Sequence, residues 1–259
     1  MMRARRSLQL ARVVSAVALS SAGALASAAA LPESFVYLRD IDPTILQDMR
    51  YAGSNNFTGA PVTGYEAAEC VLVRPAAEAL AAVQAGLRAK GLTLKVYDCY
   101  RPARAVAAFV EWAKAPDDPT AKTTYYPNLP KAALFPDYIA TRSGHSRGAT
   151  VDLTLVPMVE IEDRSSPADS AAPLPCTAPQ EGPASDGSLD MGTSFDCFDV
   201  EANTAAPGLS REEEDNRAML VDAMQARGFK NYPFEWWHFT LEPEPFPDTI
   251  FDFPIAPRP

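Results

Sequence analysis

The sequence predicts a single α+β domain with a mainly antiparallel sheet flanked by helices. Three observations lead there. Helical and strand-like stretches interleave along the chain. The connections between them are too few and too uneven for a doubly wound parallel sheet. No internal repeat is visible, and the roughly 229 residues after the N-terminal stretch suffice for one core.

Residues 1–30 stand apart. Arg3, Arg5 and Arg6 precede the apolar run "LARVVSAVALSSAGALA", and small-residue cleavage patterns end at Ala26 or Ala30. This is the pattern of a secretory signal peptide, so an exported protein, periplasmic or secreted, is expected. A membrane anchor is the alternative, but the run is short and rich in alanine and serine. Arg5-Arg6 also fits a twin-arginine signal beside ordinary secretion. No later segment is apolar and long enough to span a bilayer.

The elements then follow in order. "FVYLRD" and "LQDMRYA" read as strand pieces split by a turn at Asp42-Pro43, and "SNNFTGAPVTGY" as a loop. A helix is expected from Pro75 to about Lys90, with proline in its first turn and Gly91 at its end. Leu80, Val83 and Leu87 recur along it at helical spacing. "LTLKVYD" alternates like a strand. After Tyr100-Arg101-Pro102 a second helix, "ARAVAAFVEWAKA", is expected, again started by proline. Residues 116–138 read as irregular, and "ATVDLTLV" as a buried strand. Residues 157–209 lose periodicity, interrupted by seven prolines from Pro157 to Pro207. A loop this long is unusual inside a domain, so it reads as an insertion laid over one face. Ser210 and Glu213 form a capping box for a third helix that ends near Gly228. "EWWHFTLE" is the last strand.

Four cysteines in an exported chain suggest disulfides. Of three possible pairings we prefer Cys70–Cys99 and Cys176–Cys197, the second pinning the proline-rich insertion. No CxxC spacing supports a cysteine zinc site. The net charge of −10 and the lack of a basic block disfavour nucleic acid as a partner.

The chemistry concentrates in two places. The only two histidines are His145, in "SGHSRGATVD", and His238, in "EWWHFT". Asp152, seven positions after His145, interrupts an otherwise apolar strand. A buried carboxylate must be paired or bound to metal. His145, Asp152 and His238 supply a nitrogen, oxygen, nitrogen set suited to one Zn²⁺ with an open position for water. The alternative is ordinary core, with Arg142 or Arg147 pairing Asp152. Gly148 lets the backbone turn between His145 and Asp152. Glu235 sits three before His238. On a regular strand those positions face opposite sides, so a shared pocket requires Glu235 on a bend after Pro233. There it could act as a general base. Arg101 could stabilise an oxyanion or simply pair with Asp98. Trp236 and Trp237 are core or pocket wall.

Taken together, "NNFTG", "YDCYRP", "SGHSRGATVDLTL", "MGTSFD" and "EWWHFTL" resemble the zinc D-alanyl-D-alanine dipeptidases, relatives of the D,D-carboxypeptidases and of the hedgehog-type fold. The pieces span about residues 50–241. The resemblance implies zinc held by His145, Asp152 and His238, with Glu235 as general base and Arg101 assisting the transition state. It implies Ser143 at the substrate carboxylate and Asp196 at its ammonium. The expected substrate is a small D,D-dipeptide. Alternatives are a D,D-carboxypeptidase on longer wall peptides and a non-catalytic zinc-containing wall-binding module. Serine hydrolase chemistry is disfavoured, because no nucleophile-elbow motif surrounds Ser143.

Overall fold

A computed structural model of the chain describes residues 31–159, 174–179, 184 and 186–258. The signal-peptide stretch and much of the proline-rich insertion lie outside the described residues. Among those described, no helix is long and apolar enough to cross a membrane.

The centre is a five-stranded sheet with strand order β2-β4-β5-β7-β6. Its members are β2 (Leu46–Gln47), β4 (Leu92–Asp98), β5 (Thr150–Pro157), β6 (Phe229–Asn231) and β7 (His238–Leu241). Only β2 pairs parallel, with β4; the other pairings are antiparallel, as expected. A second, two-stranded sheet joins β1 (Phe35–Tyr37) to β3 (Val71–Val73).

Among the described residues the α-helices are α1 (Leu38–Ile41), α2 (Arg74–Arg88), α3 (Ala103–Lys114), α4 (Pro119–Tyr125) and α5 (Arg211–Gln225). Proline occupies the first turn of α2, and Gly91 follows it in the left-handed region at φ 76°. The predicted capping box of α5 is complete: Ser210 accepts from the Glu213 amide, and the Glu213 carboxylate accepts from the Ser210 amide.

Pairing across β4 and β5 sorts the two faces of the sheet. Leu94 lies opposite Leu155 and Val96 opposite Leu153, so these apolar residues share one face. Helix α2 packs on β4, and its Gln84 side chain accepts from the Leu94 amide and donates to Thr93 Oγ1. Lys95 opposite Thr154 marks the other face. There the end of the insertion docks. Lys95 Nζ lies 2.6 Å from Asp186 Oδ2, and Phe195 stacks on Tyr97 with centroids 4.5 Å apart.

Both preferred disulfides form, Cys70–Cys99 and Cys176–Cys197. In the loop-entropy description, closing segments of 29 and 21 residues stabilises by about 3 kcal/mol each. Buried Arg217 on α5 then fixes the chain on both sides of Cys197, donating to the carbonyls of Met191, Glu201 and Asn203.

Four local expectations need correction. "FVYLRD" is a strand for three residues only, because Leu38–Ile41 turn into the short helix α1, closed by the Asp42 amide donating to the Leu38 carbonyl. "LQDMRYA" pairs at two residues and then turns, as the Asn56 amide draws in the carbonyls of Arg50, Gly53 and Ala60. Residues 116–138 are less irregular than expected. Asp118 caps α4 by accepting from the Ala121 amide at 2.7 Å, and Pro119 follows in the first turn. The last strand starts at His238, not at Glu235, and β6 pairs beside it.

Candidate active site

Three adjacent strands place one residue each in a row. Asp98 at the end of β4 lies opposite Asp152 on β5, which lies opposite His238 at the start of β7. The β4–β5 register shifts between Val96 and Asp98. Such an irregularity re-aims a side chain, here at the very end of a strand.

His145 arrives from the turn just before β5. Residues Gly144–Arg147 form one turn of 3₁₀ helix, and Ser143 Oγ accepts from the His145 amide at 3.3 Å. Gly148 ends the turn at φ 81°, and a Cβ there would lie 2.3 Å from the Phe35 ring. Only glycine satisfies both conditions. The His145 ring is held by the Cys99 carbonyl, 2.7 Å from Nδ1. A carbonyl can only accept, so in the neutral ring Nδ1 carries the proton and Nε2 keeps an unshared pair.

That Nε2 points at two further groups. It lies 3.3 Å from His238 Nδ1 and 3.3 Å from Asp152 Oδ1. His238 Nδ1 is 3.0 Å from the same Asp152 oxygen. Despite these short separations, Oδ1 is buried without a hydrogen bond of acceptable geometry. One candidate ligand atom from each of the three residues lies within 4.8 Å of the others. Lone pairs converging on one point, with an orphaned carboxylate oxygen among them, fit a cation and not an ordinary polar core.

Glu235 sits on the bend that its spacing requires. The Glu235 amide donates to the Tyr232 carbonyl, and the His238 amide donates to the Glu235 carbonyl. Its carboxylate reaches within 3.4 Å of His238 Nδ1. Burial, then the charges of Asp152 and Asp196, push it well above the ordinary glutamate range. Asp152 behaves oppositely. Burial alone raises it, but the neighbouring imidazoles outweigh that and hold it below the usual aspartate range. Burial pulls the His238 imidazole down and so favours the neutral form a metal needs.

Arg101 pairs with Asp98 and also lines the cleft. Its Nε lies 2.8 Å from Asp98 Oδ2, and its Nη2 lies 3.6 Å from Asp152 Oδ2. The guanidinium also stands over the rings of Tyr51 and Phe109. Tyr65 donates to Asp98 at 2.7 Å and completes the support. Arg142 and Arg147, the arginines first considered for Asp152, lie elsewhere on the cleft wall; Arg147 is clasped by Glu244. Asp196 adopts φ 61° in the left-handed region, and both its oxygens accept from Tyr51 at 3.0 and 2.9 Å. Burial and the Asp152 charge push Asp196 up to about 8.

His145, Asp152, His238, Glu235, Arg101 and Asp196 line one cleft of about 310 Å³, with Ser143 on its wall. The sequence offers Asp98 only as a pairing partner for Arg101, and Tyr65 and the Cys99 carbonyl carry no chemical signal there. Tyr51 carried no signal, because its partner Asp196 is 145 positions away.

The D-ala-D-ala dipeptidase family of M15 peptidases matches residues 32–169 and 184–256. The chain belongs to this family. Among curated members, the D-alanyl-D-alanine dipeptidase of Streptomyces coelicolor is 39% identical over 223 residues, covering 86% of this chain and 98% of that one. The D-alanyl-D-alanine dipeptidase of Enterococcus faecalis is 36% identical over 227 residues, covering 87% and 100%. That of Escherichia coli is more distant, at 29% over 209 residues, with 80% and 83% covered. The mixed α+β architecture is consistent with this dipeptidase family, and every site segment falls inside the matched ranges.

Proposed function

We propose that the protein is a zinc-dependent peptidase that hydrolyses D-alanyl-D-alanine and similar small D,D-dipeptides to free amino acids. The observation that carries this reading is the convergence of His145 Nε2, His238 Nδ1 and Asp152 Oδ1 beside Glu235. His145, Asp152 and His238 would hold the metal. A zinc ion held there supplies Lewis acidity, lowering the pKa of water and polarising a carbonyl oxygen.

The chain's own residues do the rest. Glu235 takes a proton from the attacking water and delivers it to the leaving amine. Its raised affinity for a proton suits both transfers. Arg101, held by Asp98, faces the same cleft and counters negative charge growing on the carbonyl oxygen. Water adds across the peptide C–N bond, so one dipeptide yields two amino acids. Asp196, backed by Tyr51, receives the substrate ammonium; a cation placed there favours its ionised form. Ser143 offers its hydroxyl hydrogen to the carboxylate.

Three buried carboxylates, Asp152, Asp196 and Glu235, share this cleft with the single guanidinium of Arg101 close by. A divalent cation and a substrate ammonium relieve that excess of negative charge. The small cleft volume favours a dipeptide over a longer wall peptide. An oxidising, exported setting is part of the proposal and is compatible with the two disulfides.

The deciding experiment follows D-alanine release from D-Ala-D-Ala with and without a chelator, together with metal analysis of the protein. Chelator-sensitive release and about one zinc per chain are expected. Release that survives complete metal removal, or a pentapeptide cleaved faster than the dipeptide, would overturn the assignment.

A further inference from the structure

We infer that Arg142 is the specificity-determining cation that takes the free carboxylate of the substrate. This rests on the dipeptidase reading above and adds a residue to it. A dipeptide at neutral pH carries an ammonium at one end and a carboxylate at the other. The carboxylate needs a positive partner, and the cleft wall contains three arginines, Arg101, Arg142 and Arg147.

Two of the three are already engaged. Arg101 is bonded to Asp98 and leans toward Asp152. Arg147 makes a two-pronged pair with Glu244, Nε to Oε2 at 2.6 Å and Nη2 to Oε1 at 2.7 Å. Arg142 has no ion pair and no side-chain hydrogen bond among the described residues, and it is exposed on the cleft wall. Its fork therefore keeps a full set of donors for a ligand. A guanidinium fork matches a carboxylate with two parallel hydrogen bonds, a geometry that an ammonium group lacks.

Sequence adjacency places Arg142 correctly. It immediately precedes Ser143, whose Oγ accepts from the His145 amide and still has its own hydrogen to give. Arg142 and Ser143 thus form one charged, hydrogen-bonding edge beside the His145 turn. The buried carboxylates Asp196 and Glu235 line the same cleft and repel an anion from their own surroundings. Favourable electrostatics leave the carboxylate one orientation, with the ammonium toward Asp196. A substrate whose carboxylate is blocked loses the Arg142 contact, which confines cleavage to peptides with a free end one residue beyond the cut.

The test compares D-Ala-D-Ala with its C-terminal amide in the zinc-loaded wild type, R142Q and R142K. Losing one charge-assisted contact typically corresponds to about tenfold to hundredfold in affinity. We expect R142Q to raise KM for the free dipeptide by that factor, the change lying in KM and not in kcat. The preference for free acid over amide, as a ratio of kcat/KM values, should fall at least tenfold in R142Q and recover only in part in R142K, which restores the charge without the fork. Raising the ionic strength should raise KM in the wild type and much less in R142Q. A wild type that cleaves D-Ala-D-Ala, with R142Q showing the same KM or the same acid-to-amide ratio, overturns the role of Arg142 alone. A wild type that cleaves neither compound overturns the dipeptidase reading and this inference with it.

Discussion

Asp152 divides its two oxygens between two tasks. Oδ2 faces Arg101, whereas Oδ1 faces both imidazoles and has no hydrogen bond. Substitutions around it should therefore separate chemistry from metal binding. Glu235→Gln removes the proton acceptor and keeps the shape; kcat should fall by about 10²–10⁴ while zinc content stays near that of the wild type. Arg101→Ala should lose about 10²–10³ in kcat and still hold zinc, because no ligand atom is removed. Parallel rate and metal measurements on the two variants check both statements, and a zinc-free Glu235→Gln protein would contradict the separation. Gly148 supplies a structural counterpart. With φ at 81° and the Phe35 ring 2.3 Å from any added Cβ, Gly148→Ala combines backbone strain with overpacking. A loss of roughly 2–4 kcal/mol is expected, readable as a shift of the urea midpoint.

The elements show why some of the chain could be read in advance and some could not. Helices α2, α3 and α5 declare themselves through periodicity and through proline, glycine or a capping box at their ends. The bend at Glu235 was legible from stereochemistry, since a strand cannot aim residues three apart into one pocket. The three candidate ligands could be named because two scarce histidines and a misplaced aspartate stand out, and the fold brings them together. Strands β1, β2 and β6 were misjudged or missed because two or three residues are too few to show a strand period. For Arg101 only the Asp98 pairing was legible, whereas Tyr65 and the Tyr51 ring meet it only after folding. The docking of the insertion is another such feature. Burial alone raises Asp186, but Lys95 above all outweighs it and holds the carboxyl below the usual aspartate range. The unfolded chain then binds this proton more readily than the folded one. The stability from Asp186 is complete above the unfolded pKa of about 3.9 and is lost as the pH falls from there. Asp186→Ala should cost toward the lower end of about 3–5 kcal/mol, because Asp186 keeps 21% of its side chain exposed. In urea titrations near pH 7 and pH 3 the penalty should shrink at the acid end, and a pH-independent penalty would refute the assignment.

For the whole molecule, the proposed zinc site would link metal binding to folding. A ligand that binds only the folded chain stabilises it, by about 2.7 kcal/mol at a hundred times its Kd. For a protein of this length that corresponds to a rise of roughly 5–10 °C in Tm. Zinc added to the chelated wild type should produce such a rise, and His238→Ala should abolish it. Thermal scans with and without zinc decide the point, and an unchanged response in His238→Ala would remove that imidazole from the ligand set.

The row of Asp98, Asp152 and His238 across three strands also governs when the cation can be captured. His238 opens β7, the last strand in the chain, and so the cage stays open on one side until the C-terminal segment has been laid against β5. A chain still emerging during synthesis, or clipped before that strand, offers two of the three donors and grips metal weakly. At the proposed site, loading would thereby be deferred to the completed sheet, and zinc retention would report whether the polypeptide has finished folding.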